Sequence, residues 1–357
     1  VRVLITGNMG YVGPLVVERL RSVFPSAFLV GVDSGWFAHC LTVVDGLPER
    51  RLDAQWFRDV RDLAVEDLQN FDAIVHLAAL SNDPMGERLG DLTGAINHRA
   101  SVQLAAYAAR AGVRQFVFAS SCSVYGCAVD GRPRREDDAV DPLTVYARSK
   151  VATEQALAKL EAPHMRVTSL RFGTACGMSP RLRLDLVLND FVAAALTAGE
   201  IMVLSDGTPW RPLIHVRDMA RAIEWAITRE TANGGRVLVL NVGAEAWNIQ
   251  VSALAEAVAR AIPGTRVAIN ANAAPDGRSY RVDFGRFRQL APRHQPQETL
   301  DSTIVGLRDA LRGMGFRDAR FRDSTLVRLK MLEHWRDAGV LDGALRWRRD
   351  ADAPHAL

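Results

Sequence analysis

"ITGNMGYVG", residues 5–13, follows the apolar opening "VRVL" and precedes "PLVVERLRS", where apolar residues recur at helical spacing. Gly7, Gly10 and Gly13 therefore stand three residues apart between a strand and a helix. Glycine there permits a tight turn and brings backbone N–H groups against an anion at the positive end of the helix. Pro14 is compatible with a first helical turn. A glycine turn that binds nothing has the same three letters, so the surrounding chain has to decide between the two.

Working outward, "AFLVGVD", "DAIVHLA", "RQFVFAS" and "RVTSLRF" read as further strands, separated by helical stretches such as 15–22 and 101–111. Strands that are apolar on both faces and alternate with helices imply a parallel sheet covered on both sides. The expectation is an α/β fold: a Rossmann-like, doubly wound parallel sheet with a smaller C-terminal α/β substrate lobe. Residues 1–175 form the dinucleotide-binding part, to which 213–247 return with the buried strand "RVLVLNVG". Residues 176–212, with a helix over 185–198 and the short strand "IMVL", and residues 248–330 form the lobe over the carboxyl ends of the strands. "WRPLIHVRD" is read as opening a helix, and 331–357 as a C-terminal helix and tail.

Asp33 closes the second strand 20 residues after Gly13, where a carboxylate accepts hydrogen bonds from both hydroxyls of an adenosine ribose and repels a 2′-phosphate. No arginine or lysine occurs from Gly31 to Leu47, so NAD is favoured over NADP. Asp59, in "RDVRD", follows a third strand and reads either as an adenine neighbour or as a surface aspartate. Tyr146 and Lys150, in "VYARSK", are four residues apart and share one helix face. A tyrosine acting as base near neutrality needs its pKa of about 10 lowered by ~2 to 3 units, which an adjacent ammonium and a cationic nicotinamide provide.

The 357 residues are 48% apolar, and 44 basic residues are balanced by 41 acidic ones for a formal charge of +3. Neither a nucleic-acid surface nor a disordered chain is indicated. The densest basic stretch, "RWRRD" at 346–350, reads as a solvated tail. Cysteines at 40, 122, 127 and 176 form neither a disulfide framework nor a zinc site, which fits a reducing cytoplasm and no metal. No apolar run is long enough for a membrane span, and a strand starting at Val1 leaves no room for an export signal.

In order and spacing, "TGNMGYVG", "HLAA" at 76–79, Asn97, "SSCSVYG" at 120–126, "YARSK" and "RPLIHVRD" resemble the extended short-chain dehydrogenase/reductases. More narrowly, the chain is similar to the NAD-dependent nucleotide-sugar epimerases and dehydratases over residues 1–330. The resemblance implies Tyr146 as catalytic base, Lys150 as the lysine that holds the nicotinamide ribose, and Ser121 as the hydroxyl that hydrogen-bonds the reacting sugar hydroxyl. It implies a cofactor site made by Gly7, Met9, Gly10, Tyr11, Val12, Gly13, Asp33, Asp59, Val60, Leu77, Ala78, Ala79, Asn97, Ser120, Tyr146, Lys150, Phe172 and Thr174. The substrate, a nucleotide-diphosphate sugar, falls to Ser81, Ser121, Cys122, Ser123, Tyr146, Asn189, Arg211 and Arg278.

The family's 4,6-dehydratases carry an Asp-Glu pair directly after the catalytic Ser/Thr; Cys122 and Ser123 stand there in this chain. The resemblance thus points to C4 epimerisation through a transient 4-keto sugar. A dehydratase using Cys122, a 4-ketoreductase, and a non-enzymatic NAD sensor on the same fold are the alternatives. Cys122 itself reads as a catalytic thiol or as a small packing residue. The resemblance also implies a homodimer through the helices carrying "SVQLAAYAARAG" and the YxxxK segment, whose alanine and leucine content permits close packing.

Overall fold

The computed structural model describes residues 1–42, 46–128, 131–270, 272–273 and 277–348. Its central sheet has seven strands: β1 Arg2–Thr6, β2 Phe28–Asp33, β3 Ala54–Phe57, β4 Ala73–His76, β5 Gln115–Ser121, β6 Arg166–Phe172 and β10 Val237–Val242. Their order is β10-β6-β5-β4-β1-β2-β3, and every pairing is parallel. The direction of winding reverses between β1 and β4, which opens a crevice at their carboxyl ends.

Alternation along each strand feeds two apolar layers. Val3 and Ile5 of β1 pack with helices α1 (Gly13–Val23), α6 (Val187–Ala198) and α7 (Val216–Thr228), whereas Leu4 packs on the opposite face with α4 (Ser101–Arg110) and α5 (Val145–Ala158). Burial on both faces explains why these strands read as unbroken apolar runs. A third cluster joins Trp36, after β2, and Leu80, after β4, to Leu332, Leu341 and Leu345 of the C-terminal segment.

Two small sheets stand over the carboxyl ends. One is β11-β9-β7 (β7 Thr174–Cys176, β9 Trp210–His215, β11 Asn248–Gln250); the other pairs β8 (Glu200–Val203) with β12 (Arg266–Ile269). "WRPLIH" is therefore a strand and the helix begins only at Val216, with the His215 side chain accepting the Arg217 N–H. Helix α6 starts at Val187 rather than 185, because Asp185 is engaged by Arg183, and it ends at Gly199 with φ of +64°. Ahead of α4, helical structure already runs through α2 (Asp83–Arg88), α3 (Gly90–Thr93) and a π-helical turn, Gly94–Ala100, a path that Pro84, Gly86, Gly90 and Gly94 hide from a periodicity reading.

The remaining α-helices among the described residues are α8 (Val251–Ala261), α9 (Gly285–Leu290), α10 (Leu300–Gly313) and α11 (Arg328–Asp337). The described part of "RWRRD" is solvated but anchored: Trp347 and Arg348 are exposed, while Arg346 pairs with Asp62 at 2.5 Å and Trp347 Nε1 donates to Ser34 O at 2.5 Å; residues 349–350 lie outside the described residues. The remainder of the expected tail, 351–357, also lies outside them. Among the described residues no helix is long and apolar enough to cross a membrane.

Candidate active site

A cavity of about 850 Å³ opens at the carboxyl ends of β1, β2, β4, β5 and β6 and extends under the small sheets. Gly7, Gly10, Tyr11, Val12 and Gly13 form its floor. Gly7 has φ of +73°, and a Cβ there would sit 2.6 Å from Ala78 N; a Cβ on Gly13 would sit 2.2 Å from Asn8 O. The turn is thus closed against the "HLAA" segment by the absence of side chains, with the α1 N-terminus directed at the cavity. Asp33 lines the same space, its carboxylate held by the N–H groups of Met9 (3.0 Å) and Gly35 (2.8 Å). Burial pushes its pKa up and those two N–H groups oppose the shift. Asp59 and Val60 lie beside it, Asp59 fixed by Arg61 at 2.5 Å. The cradle and the adjacent carboxylate fit a dinucleotide, since a helix N-terminus suits a pyrophosphate and a carboxylate can accept ribose hydroxyls.

Leu77, Ala78, Ala79, Ser120, Phe172 and Thr174 also face the cavity. Asn97 does not. It sits buried in the π-helical turn and clamps both the N–H and the C=O of Leu80, at 2.8 and 2.9 Å, so it holds the wall in place.

Tyr146 and Lys150 project from α5, whose first turn is capped by Thr144 accepting the Ala147 N–H at 3.1 Å. The Ser121 side chain lies close enough to the Tyr146 hydroxyl to favour its ionised form. Burial first, and then the Asp83 carboxylate, push the phenol up to about 12, against the pull of Ser121 and of Arg183. The free chain therefore does not contain the lowered phenol that base catalysis needs. Lys150 Nζ donates to Ala119 O at 2.7 Å and lies 5.5 Å from the Tyr146 ring centroid; burial lowers it to about 7, opposed by Glu154.

The "SSCSVYG" stretch divides between the two sides of the wall. Ser120, Ser121 and Ser123 line the cavity, although the Ser123 hydroxyl is itself buried and has no hydrogen-bond partner. Cys122 faces away: it is fully buried, its thiol donates to Arg171 O at 3.2 Å, and burial pushes its pKa far up. As an inert thiol outside the cavity it packs and does not meet a ligand, which corrects both its catalytic and its substrate-binding assignment.

On the substrate side, Ser81, Arg211 and Arg278 line the cavity, and Arg278 pairs with Asp83 at 2.7 Å. Asn189 is turned inward and fully buried, held to Gly177 N–H, Arg183 O and the Tyr11 hydroxyl, so it braces a loop and is not a diphosphate contact. Sequence reasoning missed Asp83, Arg183, Asp185 and Arg328, all of which line the cavity. Arg183 donates to Asp185 at 2.9 Å and to Ser81 Oγ at 2.8 Å, and Asn82 Nδ2 reaches Asp185 at 2.8 Å. The available signal was "RLRLDL" at 181–186, charges alternating with leucines of which Leu182 and Leu184 are fully buried.

Among solved structures, the chain is similar to MoeE5 in complex with UDP-glucuronic acid and NAD, at 26% identity and a TM-score of 0.74 over 88% of this chain and 99% of that one. It is 29% identical over 254 residues to a UDP-glucose 4-epimerase of Azospirillum brasilense, covering 67% of this chain and 71% of the other. It is 27% identical over 311 residues to a dTDP-glucose 4,6-dehydratase of Streptomyces griseus, covering 85% and 92%. These relatives catalyse different reactions on one framework. The model of the NAD dependent epimerase/dehydratase family matches residues 3–243, two thirds of the chain and all of the sheet just described, so this protein belongs to that family of NAD-dependent enzymes.

Proposed function

We propose that the protein epimerises a nucleotide-diphosphate sugar at C4 through a transient 4-keto sugar. The observation that carries this reading is the wall at 121–123: Ser121 and Ser123 line the cavity and neither carries a carboxyl group, and the residue between them is sealed behind it. The dehydratase pattern needs a carboxylic acid and a carboxylate there to expel the C6 hydroxyl and take the C5 proton, and neither side chain supplies one.

NAD, when bound, supplies the acceptor and donor for the electron pair at C4 and a cationic ring that lowers the Tyr146 phenol toward working pH. Ser121 orients the C4 hydroxyl, and Tyr146 takes its proton and later returns one. Lys150, fixed on Ala119 O beside the tyrosine ring, contributes positive charge where the phenolate forms. Its lowered pKa of about 7 makes that charge sensitive to pH. Turning the keto sugar over requires room above the nicotinamide end, and the small sheets enclose the cavity without filling it. Arg211 and Arg278, on the lobe side, suit the diphosphate.

One observation favours a second reading, elimination: Asp83 brings a carboxylate to the same cavity, close enough to raise the Tyr146 pKa. The two readings separate when the pure protein is incubated with UDP-, dTDP- and GDP-sugars in deuterated water and the products are followed by NMR and mass. Epimerisation conserves mass and leaves carbon-bound hydrogens unexchanged. Loss of water with deuterium at C5 or C6 would replace the epimerase reading by the dehydratase one, and reduction of an added 4-keto sugar to the C4 hydroxyl, with one NADH consumed per turnover, would indicate a ketoreductase. Assembly through the outward faces of α4 and α5 into a homodimer belongs to the same proposal, and light scattering at micromolar concentration tests it.

A further inference from the structure

Helix α11 lies beyond the stretch matched by the family model, yet its first residue, Arg328, reaches the cavity. Its side chain is 1% exposed. The guanidinium carbon sits 4.8 Å from the Phe37 ring centroid, Nη2 donates to Arg181 O at 2.7 Å, and the buried Nη1 has no partner. Phe37 belongs to the loop that follows Asp33. Arg181 belongs to the loop that grips the glycine turn, where Ser179 Oγ donates to Tyr11 O at 2.6 Å and the Tyr11 hydroxyl donates to Gly177 O. Arg328 is thus held between the element that carries the ribose carboxylate and the element that closes on the pyrophosphate cradle.

Nearby charge does not neutralise it. Asp185 is committed to Arg183 and Asn82, and Glu49 to Arg181 at 2.6 Å. Burial lowers Arg328 to about 10, which still leaves it a cation at neutral pH. A buried cation without a carboxylate of its own is costly unless an anion arrives. The segment that carries it is fastened to the same loop: Trp335 Nε1 donates to Trp36 O at 3.0 Å, and Trp36 Nε1 to Leu345 O at 3.1 Å.

We propose that Arg328 is a cofactor-binding residue whose guanidinium compensates the pyrophosphate of the bound dinucleotide, so that the C-terminal segment completes a site otherwise built by the first half of the chain. The proposal rests on NAD occupying the glycine-turn cavity. It is tested by calorimetry on the full chain stripped of nucleotide, comparing wild type, Arg328→Met and Arg328→Lys with NAD⁺, ADP, adenosine and UDP. Arg328→Met should weaken NAD⁺ and ADP by roughly 10- to 100-fold, the scale of a charge-assisted contact, and leave adenosine unchanged. Lysine should restore part of the loss, and the ligand-free methionine variant should melt no lower than wild type. Unchanged NAD⁺ affinity overturns the proposal, as does an equal loss for adenosine, which would mean a disturbed ribose loop. A loss confined to UDP also overturns it, by assigning the arginine to the sugar nucleotide. Wild type that fails to bind NAD⁺ would instead remove the cofactor reading itself. Should Arg328→Met not fold, Arg328→Lys carries the same comparison of ADP with adenosine.

Discussion

Arg171 and Arg183 are both buried beside the cavity, on opposite sides, and their surroundings differ in charge balance. Arg171, at the end of β6, donates to Glu154 at 2.7 and 3.0 Å and to the Tyr125 hydroxyl at 3.0 Å. Glu154 also accepts the Ser120 hydroxyl at 2.5 Å, and Tyr125 donates to Asn241 at 2.7 Å, which closes the network. On the other side Arg183 and Arg328 share the neighbourhood of one carboxylate, Asp185. A closed network holds the strand ends that carry Ser121 in register. The under-compensated one is poised for an anion. Removal of either charge from the first should therefore cost stability, whereas removal of a positive charge from the second should cost binding.

The largest effect is expected in the closed network. Glu154→Gln leaves the Arg171 guanidinium buried without its counter-charge and should cost about 3–5 kcal/mol in chemical denaturation, while the double change Glu154→Met with Arg171→Met should recover most of that loss. A single-site cost below about 1 kcal/mol would break the comparison, because it would mean that water reaches the pair.

Lys150 sharpens it, since it sits one helical turn from Glu154 and draws only part of that carboxylate's field. Its folded pKa of about 7 lies below its ordinary 10.5, so folding opposes its protonation. That penalty is complete below pH 7 and fades as pH rises toward 10.5, where the unfolded chain also gives up the proton. Lys150→Met should therefore stabilise the ligand-free protein by about 2–4 kcal/mol at pH 6 and by little at pH 10, at the expense of turnover. A gain independent of pH would show that the ammonium is solvated in the native state.

The two sides also differ in how far the sequence discloses them. The glycine turn, Asp33 and the Tyr146–Lys150 pair are local patterns: each places its chemistry within one turn or at one strand end, so spacing suffices to find it. The continuous apolar strands declare a doubly covered sheet for the same reason. The anion side is assembled from chain separated by 103 residues at Asn82–Asp185 and 147 at Arg181–Arg328. No local period encodes such contacts. Asp185 reads as the first residue of a helix until Arg183 is seen to hold it outside, and Asn189 reads as a ligand contact until the loop it braces is visible. Trp335, Leu341, Leu345 and Trp347 lack any spacing that would distinguish a packed segment from a tail.

Asp185→Asn tests the anion side directly. The Asp185 carboxyl is held below its ordinary pKa: burial raises it, but Arg183 and the neighbouring Arg328 together outweigh the cost of burial. Its stabilisation is therefore present above the unfolded value of about 3.9 and is lost as pH falls through the depressed one. The neutral variant should lose about 1–3 kcal/mol at pH 7 and become less sensitive to acid. Because the site then carries one more uncompensated positive charge, binding of NAD⁺ should be equal or tighter. Parallel losses of stability and affinity would make this network structural like the first.

The smallest effect is expected at Cys122, which backs onto the closed network through its contact with Arg171 O while its neighbours Ser121 and Ser123 face the cavity. If the wall separates packing from chemistry at this residue, Cys122→Ser should keep the hydrogen bond to Arg171 O, lose about 1 kcal/mol or less, and leave turnover within about twofold. Ser121→Ala, one residue away but on the cavity side, should lower turnover by roughly 10² to 10⁴. A thiol that donated or accepted a proton in the reaction would reverse the two, since serine has neither its pKa nor its nucleophilicity. The decisive measurement is single-turnover NADH formation beside product formation. A Cys122→Ser protein that still reduces bound NAD⁺ on addition of substrate but releases no product would place Cys122 in a proton-transfer step after oxidation. The wall would then have to open during turnover, and the division between a structural side and a chemical side would hold only for the ligand-free chain.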